Sequence, residues 1–154
     1  MCDVTVIINL CGALASVIAA GVSIYKEYTI RKQLHQNKFN TELYEIIKDL
    51  DSYVELCRNY WIVAGVTPEE RNVRASEITY KGKNISNSLT IINKKCKALL
   101  TKDIVEYIND FNAIQTEATG GPFQSKMFRI DIERVKKIQD LVSSFRENIK
   151  NEIR

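Results

Sequence analysis

Residues 4–25, VTVIINLCGALASVIAAGVSIY, carry no charged side chain, while every Lys and Arg of the 154-residue chain, and every acid except Asp3, lies in residues 26–154. As a helix this run would be about 33 Å long, against about 30 Å of bilayer hydrocarbon. Lipid offers the backbone no outside partner, so a lone spanning segment must be helical. A cleaved export signal would need a basic start and a shorter apolar core, and Met1-Cys2-Asp3 supplies no basic side chain. Cys11 has too few residues before it for a lipoprotein signal, and a core helix of a soluble domain rarely stays uncharged for about six turns. The run therefore predicts a transmembrane helix (residues 1–25) followed by a cytoplasmic part (residues 26–154). Lys26, Arg31, Lys32 and Lys38 follow the run with Glu27 as the only acid among them. Lys/Arg excess stays inside, so the expected placement is single-pass in the inner (cell) membrane, N-terminus out.

On a helical wheel the run separates into two faces. Thr5, Asn9, Gly12, Ser16, Ala20 and Ser23 fall on one side, and Val6, Leu10, Leu14, Val17, Ile18 and Val22 cover much of the rest. Helices in lipid associate through small residues and interhelical hydrogen bonds, which Gly12, Ser16 and Ala20 on the one hand and Asn9 on the other could supply. Two readings stay open: a packing seam for a dimer or small bundle, or the lining of a wet lumen in a ring of copies. Both make the chain its own partner and the lipid bilayer its surroundings.

The remainder reads as helix throughout. Leu43, Ile46, Leu50, Tyr53, Cys57 and Trp61 recur in steps of three and four, with Asn37–Asn40 a kink or boundary and Gly65 a stop. Thr67-Pro68-Glu69-Glu70 has the form of a capping box with Pro in the first turn. That helix is expected to carry Val73, Ile78, Tyr80, Ile85, Leu89 and Ile92, with Gly82 a weak point. Thr101 would cap a shorter helix, Gly120-Gly121-Pro122 would end it, and a last helix would start near Ser125. No stretch alternates with period two. The fold class is all-α: one N-terminal transmembrane helix followed by an antiparallel helical bundle.

Motifs for catalysis are missing. His35 has only Arg31 one turn away, and an arginine cannot serve as base. Acids such as Glu42, Glu45, Asp49 and Glu55 lie on polar faces, without the Glu-x-x-His of a di-metal bundle. Walker, nucleophile-elbow and zinc-protease patterns do not occur, and Cys2, Cys11, Cys57 and Cys96 show no ligand spacing. No catalytic residue, metal or cofactor is expected. Residues 69–102 hold eight bases, among them Arg71, Arg74, Lys81, Lys83, Lys94, Lys95 and Lys97, against three acids. Such a strip could meet RNA or lipid headgroups, pair with an acidic strip of a neighbour, or simply face water.

A short N-terminal apolar helix followed by about 130 helical residues resembles, as a layout, the small membrane accessory proteins of type VI-B CRISPR systems. That resemblance implies a divergent HEPN-like helical domain, assembly into a membrane pore, a role in antiviral defence, and an RNA-guided effector protein or its RNA as partner. HEPN ribonucleases carry Arg-x(4–6)-His near the start of the last helix. Here Arg129, Arg134 and Arg146 lie in that region and no His follows His35, so no catalytic residue carries over. The function expected is thus a homo-oligomeric single-span pore with a cytoplasmic regulatory domain. The alternatives are a tethered helical binding or scaffold domain without conductance, and a tethered RNA-binding module.

Overall fold

The computed structural model describes residues 4–96, 99–100, 102–124 and 128–153, with side chains described for these except residues 4–14, 95 and 96. They form four helices: α1 (Val4–Ile62), α2 (Pro68–Cys96), α3 (Ile104–Thr119) and α4 (Ile132–Lys150). No strand occurs among the described residues. The chain divides into two compact units, Met1–Lys38 and Phe39–Arg154.

The N-terminal unit corrects the main expectation from sequence. Among the described residues no helix is long and apolar enough to cross a membrane. The single-pass, N-terminus-out placement in the inner membrane is overturned, and the pore and channel readings lose the span on which they stood. The helix runs without interruption through Asn37–Asn40, where a kink or boundary was expected, and the boundary between the two units falls there, after Lys38.

In the second unit, cross-helix bonds give the direction of each neighbour. Arg74 reaches Asn59 and Lys81 reaches Asp49, so α2 runs back along the later part of α1. Arg134, at the start of α4, bonds carbonyls at the end of α3, while Tyr107, at the start of α3, bonds Glu152 beyond the end of α4. Arg146 pairs with Asp51, which closes α4 onto α1. The result is an up-down-up-down bundle with short connections.

Its core is the apolar stripe that each helix presents at three- and four-residue spacing. Leu43, Ile46, Leu50, Tyr53, Cys57 and Trp61 come from α1, and Ala75, Ile78, Ile85, Leu89 and Ile92 from α2. Ile104, Tyr107, Phe111 and Ile114 come from α3, and Val135, Ile138, Val142, Phe145 and Ile149 from α4. Val73 and Tyr80, expected in the core, are exposed instead. The buried line of α2 runs through Gly82. A Cβ there would lie 2.5 Å from Gln115 Nε2 and 3.3 Å from Tyr53 Cε2, so the missing side chain lets α2 approach α1 and α3 closely.

Helix starts follow local chemistry only in part. Thr67 and Glu70 form the capping box: Glu70 N donates to Thr67 Oγ1 at 3.2 Å, and Thr67 N donates to Glu70 Oε2 at 3.0 Å. α3 is capped by Asp103, whose carboxylate accepts from Val105 N; Thr101 lies outside the described residues. α4 starts at Ile132 behind the cap Asp131, later than expected, and Ser125 also lies outside the described residues.

Candidate interaction surfaces

Three of the seven cations singled out for RNA or lipid contact serve the fold itself. The Arg71 guanidinium sits 4.0 Å from the Phe128 ring centroid. Arg74 Nη1 donates to the Asn59 carbonyl at 2.8 Å. Lys81 Nζ lies 2.5 Å from Asp49 Oδ1, both side chains being largely covered. Lys83 and Lys94 are exposed, and Lys95 and Lys97 lie outside the described side chains. The structure therefore brings only part of the expected strip to solvent.

Of the six stripe positions in the N-terminal unit, Thr5, Asn9 and Gly12 lie outside the described side chains, and Ser16, Ala20 and Ser23 are exposed. The Ser23 hydroxyl donates to the Ala19 carbonyl at 2.9 Å, one turn back in its own helix. A hydroxyl bonded in this way needs no second helix. Val17, Ile18, Val22, Ile24, Tyr25, Tyr28, Ile30 and Leu34 are all exposed, between 48% and 71%.

Two clusters at opposite ends of the bundle hold it shut. At one, Arg134 Nε pairs with Asp131 Oδ2 at 3.1 Å, and its Nη1 donates to the carbonyls of Glu117 (3.1 Å) and Gly120 (2.6 Å). Its guanidinium also covers the Trp61 ring at 4.5 Å, while Trp61 Nε1 donates to the Ala118 carbonyl at 3.0 Å. The Tyr60 ring lies tilted against Phe123 and edge-on to Phe128, and its hydroxyl accepts a bond from Gln124 N. At the other end, Tyr107 Oη donates to Glu152 Oε1 at 2.7 Å, and Lys102 N donates to the same oxygen at 3.3 Å. Burial, followed by the bond to this carboxylate, pushes the Tyr107 hydroxyl well above its ordinary range. Sequence reasoning missed Glu152 because nothing local marks a terminal acid as buried.

Burial pushes the Cys57 thiol up to about 12, which keeps it protonated and unreactive at neutral pH. No group of three or more His, Cys, Asp or Glu able to hold a metal ion occurs among the described residues.

A groove of about 280 Å³ runs between α1 and α2, lined by Thr41, Glu42, Glu45, Ser88, Ile91 and Ile92. Glu42 Oε2 is shielded from solvent and has no hydrogen-bond partner among the described residues. A carboxylate oxygen in that condition costs about 1–3 kcal/mol. No family model, curated protein or solved structure matches the chain.

Proposed function

We propose that this chain is a non-enzymatic helical interaction module that associates with copies of itself through the N-terminal unit. The observation that carries this reading is the run of large apolar side chains left in solvent between Val17 and Leu34. Isolated exposed apolar residues are ordinary, but a contiguous series on one helix is the usual mark of a surface that meets another. The reading as a non-enzyme rests on the sequence, which lacks a histidine beyond His35 and any nucleophile motif, and on the burial of Cys57.

An RNA-binding role is less favoured, because Arg71, Arg74 and Lys81 are engaged within the bundle. The likeness to type VI-B accessory proteins now rests on the helical domain alone. It motivates one further partner, an RNA-guided effector, which co-purification of the two chains would test.

Self-association is tested by sedimentation velocity over a hundredfold concentration range. The wild type is expected to assemble as concentration rises. Replacing Ile24 and Tyr28 with Asp should weaken assembly by more than about tenfold, or about 1.4 kcal/mol. A wild type that stays monomeric throughout would overturn the reading.

A further inference from the structure

The groove between α1 and α2 has two properties that a water-filled crevice does not explain. Its α1 wall carries two acids one turn apart, Glu42 and Glu45, and its α2 wall carries Ile91, which is 43% exposed. Glu42 Oε2 is shut off from solvent there without a donor. The occupant such a groove suits is a helix with apolar residues one turn apart, followed one turn later by a cation.

The chain itself contains that segment. Ile30, Leu34 and Lys38 stand at i, i+4 and i+8 on α1 and share one helix face. Ile30 and Leu34 are more than half exposed, and Lys38 is exposed. An acidic groove with an uncovered isoleucine and a basic helix face with uncovered aliphatics are complementary in charge and in polarity. We propose that the groove of one copy receives residues 30–38 of a second copy, with Leu34 against Ile91 and the Lys38 ammonium donating to the Glu42 carboxylate. This rests on the self-association reading and assigns it a surface. A two-fold arrangement makes the contact reciprocal, so each copy contributes one segment and one groove.

Lys38 and Glu42 are also one turn apart in the same helix, so single charge reversals alone would not separate a contact between copies from one within a copy. Mixing does. Lys38→Glu and Glu42→Lys, each alone, are expected to weaken self-association of the full chain by about tenfold or more. An equimolar mixture should recover assembly to within about threefold of wild type, because opposite charges meet again across the hetero-interface and within neither helix. Far-UV circular dichroism confirms that both variants are helical, and Glu42→Gln serves as a milder substitute if either fails to fold. Unchanged association of the single variants, or a mixture no tighter than its components, overturns this surface while leaving self-association standing. A wild type that never assembles overturns both.

Discussion

Single residues set tolerances here that their type does not announce. Gly82 reads in sequence as a flaw in a helix, yet it occupies a buried crossing where any side chain must displace Gln115 and press on Tyr53. Gly82→Ala is expected to be nearly neutral, since the gain in helix propensity, about 1 kcal/mol, offsets the crowding against the movable end of Gln115. Gly82→Val should lose about 1–3 kcal/mol in urea unfolding, because a branched side chain also meets the Tyr53 ring. Arg134 is the opposite case, a charged residue that looks like surface but joins the ends of α1, α3 and α4. Arg134→Ala should cost about 3 kcal/mol, and Arg134→Lys should recover little, because an ammonium cannot hold Asp131 and two carbonyls while lying flat on Trp61. Urea midpoints of the two variants within error of wild type would count against this role.

Elements were legible to the extent that their causes are local. The start of α2 is written in Thr67-Pro68-Glu69-Glu70, and the same atoms make the cap. Thr67→Ala should therefore cost about 1 kcal/mol. The hydrogen bonds from the Thr67 backbone and then its hydroxyl hold the Glu70 carboxyl below its ordinary value. The cap's charged contribution is thus present above the unfolded carboxyl pKa and lost as pH falls through the lower folded one. Titrating wild type and Thr67→Ala side by side should show the gap between them narrowing in that acidic range without closing, because the Glu70 N–Thr67 Oγ1 bond does not titrate. The start of α4 was not legible, because Asp131 becomes a cap through contacts made elsewhere: Asp131 N donates to the Trp61 carbonyl, and Arg134 ties it to α3. On α2 the sequence placed Ile78, Ile85, Leu89 and Ile92 in the core correctly and misplaced Val73 and Tyr80. Val73 and Tyr80 are seven apart and mark a consistent stripe, but the true stripe counts a glycine as core, which apolarity alone cannot suggest.

At the scale of the molecule, the uncharged N-terminal run dominated the sequence reading and outweighed what followed it. Ile30 and Leu34 were read as one side of a helix continuing past Tyr25, and Arg31 and Lys32 among them hid how much apolar surface they leave uncovered. Exposure brings them forward, as it does the shielded oxygen of Glu42, which no spacing rule could locate. Association through charged and apolar groups together should weaken with salt yet persist in part. Raising ionic strength from about 50 to 500 mM shortens the screening length from roughly 14 to 4 Å. The expected response is a several-fold rise in the dissociation constant, read by sedimentation; an unchanged constant would remove the ionic component.

The bundle's connectivity carries a kinetic consequence. Successive helices lie against one another, while ties such as Arg146 to Asp51, Trp61 to Ala118 and Asp131 to Trp61 join distant parts of the chain. Helical bundles as a class refold in about microseconds to milliseconds. A chain released from ribosome or chaperone would regain its core faster than partners could meet by diffusion, so assembly would join finished domains rather than half-made ones.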